Sequence, residues 1–359
     1  MNPQKQLIIL IAIAAGLTSF LAGYVLTQSG GKVVPDNVLA QQRSAILDRF
    51  NGVTPSPTAA PIPDGVFQLE TQAALSPAAN PSNDSILYYQ SDSGHVSSVD
   101  PTTRILTEIS ATDLPHLVDV IWSHDTRQVV TVYATKAGTT YKYYTYDTRE
   151  QATLGSDIAA AAFSPDGSKL ALAKIDGNGI DITVGQPGGT GQETILKTEF
   201  AHVSLTWPAE HSLSLIASTQ NGQTLYQVSD QGDVTDLIDT TSALEASWSP
   251  DASQIIYSTA SASGATLSLY TLADHSQQTL DLQASANQCA WTHDSASLVC
   301  AGTRDHGGVI ARLDAATGIV SDLFSDLIVT PGKVLLTHNE DYAILTDQTD
   351  SSLYAFHLR

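Results

Sequence analysis

The chain has 359 residues, 42% of them hydrophobic, with 37 Asp plus Glu against 16 Lys plus Arg and a formal net charge of −21. Residues 1–50 hold four basic and two acidic side chains, so the remainder carries 12 basic and 35 acidic ones. A surface that negative repels phosphate backbones and argues against nucleic acid as a partner, while the apolar fraction suffices for a sizeable core.

Residues 1–6 are read as a short cytoplasmic N-terminus. Leu7 to Leu26 then reads LIILIAIAAGLTSFLAGYVL, a run without a charge. At about 1.5 Å per residue it spans roughly 30 Å, the thickness of a bilayer's hydrocarbon core. It is longer than the apolar core of a cleavable signal peptide, and no cysteine follows Leu21-Ala22-Gly23 to make a lipoprotein. The sequence thus predicts a signal-anchor helix over 7–27: a single-pass protein of the cell membrane whose C-terminal domain is extracytoplasmic. Residues 28–65 read as a juxtamembrane helix and a Pro-rich linker. Pro35 suits a first helical position, and Leu39, Ile46, Leu47 and Phe50 share one helical face. The stretch NGVTPSPTAAPIPDG has the composition of an extended, semi-rigid spacer.

From residue 66 to 359 a local pattern recurs: an aromatic or Leu, a small polar residue, a turn, then an apolar strand. Its instances begin at Leu75, Trp122, Phe163, Trp207, Trp248, Trp291 and Leu336, separated by 47, 41, 44, 41, 43 and 45 residues. A period in the low forties with four strands per unit is the signature of a propeller blade. The repeat at Trp248 shows all four: ALEASWS, QIIYSTA, TLSLYTL and QQTLDL. The third strand often runs into an aspartate that begins a turn, at Asp100, Asp147, Asp230, Asp274 and Asp314. After Leu336 only two strands remain, while Val66-Phe67-Gln68-Leu69 stands spare before the first repeat. Pairing the two ends closes the ring and removes an exposed edge. The expectation is an all-β fold, a β-propeller of about seven four-stranded blades, with six or eight as the alternatives, preceded by one transmembrane helix.

The turn-and-strand pattern at Phe163–Ala173 and Trp248–Ser258 resembles the WD40-like repeats of the TolB-type bacterial propellers. The resemblance covers roughly residues 66–359 and implies the repeat architecture. It supplies no catalytic residues, and since TolB-type proteins carry an additional N-terminal domain where this chain has an apolar run and a linker, it supplies no partner either.

Candidate sites are sparse. Aligning the turns of the repeats sets Cys289 opposite Cys300, where Ala161 faces Leu172 and Ala246 faces Tyr257. Two readings stay open: a cross-strand disulfide, which would suit an oxidising compartment, or two buried thiols. His124, His293 and His338 share one turn position and should face the same end of the ring, spread around its circumference; they read as surface turn residues rather than metal ligands. Asp176-Gly177-Asn178-Gly179-Ile180-Asp181 faintly resembles a calcium loop but lacks the distal Glu, and reads as a hairpin turn. Trp122, Trp207, Trp248 and Trp291 sit at equivalent positions, which argues for packing between blades. There is no G-x-S-x-G, P-loop or Rossmann fingerprint, no catalytic residue is assigned, and no cofactor or metal is called for. The expected function is binding or scaffolding of an envelope protein or cell-wall component. The alternatives are an envelope lyase or hydrolase working at the channel mouth, and a ligand sensor.

Overall fold

Short runs of β-branched and aromatic residues, each closed by a Ser, Asp or Gly turn, fold here as hairpins stacked edge to edge into four-stranded units. The computed structural model describes residues 65–358 apart from 178, 263 and 306. The expected N-terminal hexapeptide, the helix over 7–27 and the juxtamembrane and linker segment through residue 64 lie outside the described residues. Within them, no helix is long and apolar enough to cross a membrane.

The described chain forms seven antiparallel sheets of four strands. It opens with β1 (Val66–Glu70). Blade 1 is β2 (Ala74–Ala79), β3 (Ile86–Gln90), β4 (Val96–Val99) and β5 (Leu106–Ser110). Blade 2 is β6 (Leu117–Trp122), β7 (Gln128–Thr135), β8 (Gly138–Thr145) and β9 (Gln151–Gly155). Blade 3 is β10 (Ile158–Phe163), β11 (Leu170–Asp176), β12 (Gly179–Gly185) and β13 (Glu193–Thr198). Blade 4 is β14 (Val203–Ala209), β15 (Ser212–Thr219), β16 (Gly222–Ser229) and β17 (Val234–Thr240). Blade 5 is β18 (Leu244–Trp248), β19 (Gln254–Ser261), β20 (Gly264–Thr271) and β21 (Ser276–Thr279). Blade 6 is β22 (Cys289–Trp291), entered through a 3-10 turn at Ala286–Gln288, then β23 (Ser297–Arg304), β24 (Gly307–Asp314) and β25 (Val320–Ser325). Blade 7 is β26 (Pro331–Leu336), β27 (Tyr342–Asp347) and β28 (Leu353–His357), completed on its outer side by β1.

The expected closure is therefore present. Val66 pairs with Phe356 and Phe67 with Ala355, so the first strand of the domain supplies the fourth strand of the last blade. Because side chains alternate along a strand, β1 serves two interfaces at once. Val66 packs into the layer between blades 6 and 7, and Phe67 and Leu69 into the layer between blades 7 and 1.

The core is divided in the same way. Among the described residues seven apolar clusters occur, each formed mainly by two neighbouring blades. Strands near the middle of a blade are buried on both faces, as in β3, whereas outer strands such as β5 and β21 are largely exposed. Each tryptophan ends or nearly ends an inner strand and packs into such a layer, the structural role expected of it. The indole N–H of Trp122 donates to the carbonyl of Ser76 in the preceding blade at 2.8 Å, and that of Trp291 to Ser247 at 3.3 Å.

Two details of the repeat differ from the sequence reading. In blade 1 the turn is Asn80–Ser85, closed by Asn80 N–H to the Ser85 carbonyl at 2.9 Å, just as Ser123 N–H to Gln128 closes blade 2. The counterpart of Trp122 is thus Ala79, 43 residues earlier, and Leu75 lies inside β2. Ser76-Pro77 imitates a turn in sequence because Pro lacks an N–H and Ser often sits beside it. In the fold the pair forms a bulge, with the ladder register broken between Leu75 and Ala78 and Ser76 at φ 49. In blade 4 the strand runs on through Pro208 and Ala209, and the turn shrinks to Glu210-His211.

Candidate ligand site in the central channel

Inner strands of a propeller line its axis, so the residues they turn inward decide what the channel can hold. Counting back three residues from the aromatic position gives one residue per blade: Ser76, Asp119, Ala160, Ser204, Glu245, Gln288 and Lys333. The ladders of β2, β6, β10 and β26 each break register around this level, and such bulges re-aim side chains. Three members of the ring are charged.

Lys333 and Glu245 line one cavity of about 700 Å³ framed by the inner strands of blades 4 to 7. Its walls are mostly apolar, including Val203, Leu244, Ala246 and Val334, with Asn287 and Gln223 among the polar groups. A large, mostly apolar concavity with a few convergent polar groups is the common form of a ligand site.

Lys333 Nζ donates to the carbonyl of Pro77, 3.2 Å away in blade 1. The side chain is exposed to the cavity, with protein packed densely around its position. That enclosure pushes its pKa below the ordinary lysine value, and the Asp119 carboxylate pulls in the opposite direction. Asp119 is held by the Ser76 hydroxyl at 2.7 Å and by the Val120 amide at 2.8 Å, both on Oδ1. A chain of contacts thus links Lys333, the Ser76-Pro77 bulge and Asp119 across blades 7, 1 and 2. Gln288 is fixed too, its amide donating to the Pro331 carbonyl at 2.6 Å.

The residues singled out in the sequence fall elsewhere or play other parts. Cys289 and Cys300 are directly opposed, with Cα atoms 4.0 Å apart and the sulfurs in bonding contact. Ala161 faces Leu172 and Ala246 faces Tyr257, as the turn alignment implies. Cys289 touches the cavity wall, while Cys300 is fully buried. His293 and His338 lie on adjacent blades with ring centres 5.9 Å apart, so these two do come together rather than spreading around the rim. Glu340 accepts from the His293 backbone amide at 2.6 Å and contacts its Nδ1 at 2.8 Å. Among the described residues no three His, Cys, Asp or Glu side chains are grouped to hold a metal ion. Asp176 and Asp181 flank the β11–β12 hairpin, where Lys197 Nζ sits 2.5 Å from Asp181 and 3.9 Å from Asp176.

The charged ring escaped the sequence reading. Its signal is a fixed offset from the aromatic position, and the misplaced first repeat put Ser76 out of line with the other six.

Seven four-stranded blades, the last closed by the first strand, define a seven-bladed β-propeller with a candidate binding cavity among the inner strands of blades 4 to 7. No protein-family model matches the sequence, and no curated protein resembles it in sequence. Similar folds are found among solved structures. An oligogalacturonate lyase solved in complex with manganese aligns with a TM-score of 0.61 and 10% identity, over 82% of this chain and 93% of its own. The oligogalacturonate lyase of Vibrio parahaemolyticus aligns at 0.59 and 11% over the same shares. TolB of Acinetobacter baumannii is also similar, at 0.45 and 16%, over 79% of this chain and 78% of its own. The likeness to the two lyases shows a shared fold.

Proposed function

We propose that the chain is a binding or scaffolding propeller of the cell envelope, held outside the cytoplasm by the apolar segment over 7–27, which engages a protein or cell-wall component through its channel. The observation that carries this reading is the cavity of about 700 Å³ into which Lys333 and Glu245 project. Charged groups set in a concavity of mostly apolar walls are the usual anchor points for a bound partner.

The test is site-specific photocrosslinking in membranes, with the full chain carrying a photoreactive residue at Asn287 or Val203 in the cavity, or at exposed Thr107 on β5 as control. Capture of the same component from both cavity positions, and not from Thr107, supports the reading. Capture that is equal everywhere, or absent from the cavity, overturns it.

A second reading is an envelope lyase or hydrolase using the same channel mouth. Its support is Lys333 itself, since an amine whose pKa is pushed down is a better base near neutral pH. Turnover of an envelope glycan or peptide by the wild type, lost in Lys333→Met with the fold intact, would favour it over simple binding.

A further inference from the structure

In blades 2, 5 and 6 the residue just after the third strand is pinned to the turn that follows the inner strand. The Tyr146 amide donates to the Arg127 carbonyl, Leu272 to Ser253 and Ala315 to Ala296. Each of these side chains joins the apolar layer of its own blade's tryptophan, Trp122, Trp248 or Trp291. In blade 4 the Ser229 amide donates to the Asp233 carbonyl as Thr145 does to Glu150, so the counterpart of Tyr146 is Asp230. An apolar filler is thus replaced by a carboxylate, which meets His211 Nδ1 of the shortened turn at 3.1 Å. A cavity of about 690 Å³ lies between blades 3 and 4 at this place, with Trp207 in its wall. The Trp207 indole N–H donates within its own turn, to the Glu210 carbonyl at 3.4 Å, where Trp122 and Trp291 donate to the preceding blade. Beside Trp207 the lining holds Lys169, Gln186 and Glu193 from blade 3 and His211 and Asp230 from blade 4. It shares no residue with the channel cavity.

From this geometry we infer that the groove between blades 3 and 4 binds a neutral saccharide, one ring lying against Trp207 and its hydroxyls bonded to the polar groups around the indole. The inference goes beyond the channel reading and does not depend on it. A pyranose presents an apolar C–H patch on its ring face and hydroxyls at its edge. It therefore needs an apolar surface bordered by groups that both donate and accept, because each hydroxyl does both. The groove supplies that mixture. Lys169 donates, Glu193 and Asp230 accept, and Gln186 and a neutral His211 do each. An anion would use the donors alone and face Glu193, Glu210 and Asp230. A cation would use the acceptors alone, against the Lys169 ammonium and with Asp230 already engaged by His211. The volume lies within the range that holds small ligands, and a disaccharide is of that size.

Saturation-transfer NMR on the full chain tests this, with cellobiose, maltose and N,N′-diacetylchitobiose as probes and agmatine and glucuronic acid as charged comparators. Saturable binding of at least one disaccharide is expected, with transfer strongest to the C–H groups of one ring face. Glu193→Ala, on the exposed side of the outer strand β13, should weaken that binding by about tenfold or more, the worth of a charge-assisted hydrogen bond. Asp230→Leu gives blade 4 the residue that blade 5 carries at this position, and should abolish binding while the unfolding midpoint holds or rises. The inference is overturned if no disaccharide binds, or if agmatine or glucuronic acid binds as tightly as the disaccharides. It is overturned equally if Glu193→Ala or the folded Asp230→Leu protein binds like the wild type. Photocrosslinking from the channel reports on a different surface, so failure there and failure here are told apart.

Discussion

Asn339 of the last blade and Asp84 of the first are joined twice across the seam of the ring: the Asn339 backbone amide donates to Oδ1 and its side-chain amide to Oδ2, each at 2.8 Å. Both residues sit in the turns after the first strand of their blades, so this polar clasp lies at one end of the seam whose apolar layer is filled by Tyr88, Ile344 and Ala355. Every blade interface bears on ring closure, because a ring of repeats holds together only through nearest neighbours. Asp84→Ala should therefore lower unfolding free energy by about 1–2 kcal/mol, the worth of exposed hydrogen bonds to a charged acceptor. Denaturant titration checks it, with Asp92→Ala, on an exposed turn, expected to leave the midpoint in place.

Four other turns share a second device. The hydroxyl of Ser123, Ser164, Ser249 or Thr292 donates to the carboxylate two residues on, at 2.6, 2.6, 2.6 and 2.7 Å. In blade 3 this hydroxyl, with the amide and hydroxyl of Ser168, holds Asp166 down at about 2. Asp251 and Asp294 are lowered as well, the first chiefly by Ser249 and the second by the Ala296 amide and then Thr292. A depressed carboxyl pKa gives stability that is complete above the unfolded value of 3.8 and disappears as pH falls through the folded value. The Asp166 carboxyl should therefore titrate by NMR near pH 2, and Ser164→Ala should move its midpoint up toward 3.8. Acid unfolding of that variant should begin at higher pH.

Much of this architecture is legible in the amino-acid sequence. The aromatic-turn-strand repeat gives the blade count because it marks the same backbone event in each blade: the end of the inner strand at a packed interface. The spare strand at Val66 and the missing fourth strand after Phe356 are two halves of one pairing, and counting strands exposes both. The register of Cys289 and Cys300 follows from aligning turns, since a β-ladder propagates register from the turn outward. Illegible were the features that depend on a bulge. Ser76-Pro77 looks like a turn and is a kinked strand, and no periodicity distinguishes the two. Lys333 and Glu245 come from strands more than eighty residues apart, and their lining of one cavity is a property of the closed ring. The proximity of His293 and His338 has the same origin: blades 6 and 7 are neighbours, so two turn residues at one repeat position come within ring contact.

The cysteine pair makes a separate prediction. Cys289 and Cys300 are opposed on β22 and β23, 11 positions apart in sequence, and both are buried. Thiol counting under denaturing, non-reducing conditions should find no free thiol in protein purified without reductant. Reduction, or Cys289→Ala with Cys300→Ala, should then lower stability by about 2–3 kcal/mol, as expected for a short cross-linked loop. Two reactive thiols in the unfolded, unreduced chain would instead show that the pair packs as small apolar groups, and the double variant would then cost only the lost packing.

Lys333 gives the clearest pH signature. Enclosure in the channel lowers its pKa below 10.5, while the unfolded chain titrates near that value. Between the two, the unfolded state binds a proton that the folded state has released, so stability rises with pH across that window. Below the folded pKa the folded state must hold a charged amine in a protein-walled channel, and the full cost of doing so is present. Lys333→Met removes the titrating group and keeps a side chain of similar length. At pH 7 the variant should therefore be more stable than the wild type, with the gap narrowing as pH approaches 10.5. Thermal melts of both proteins from pH 6 to pH 10.5 measure this directly. Curves that run parallel across the whole range would mean that the amine reaches bulk water and suffers no desolvation, and the electrostatic description of the channel would have to be abandoned.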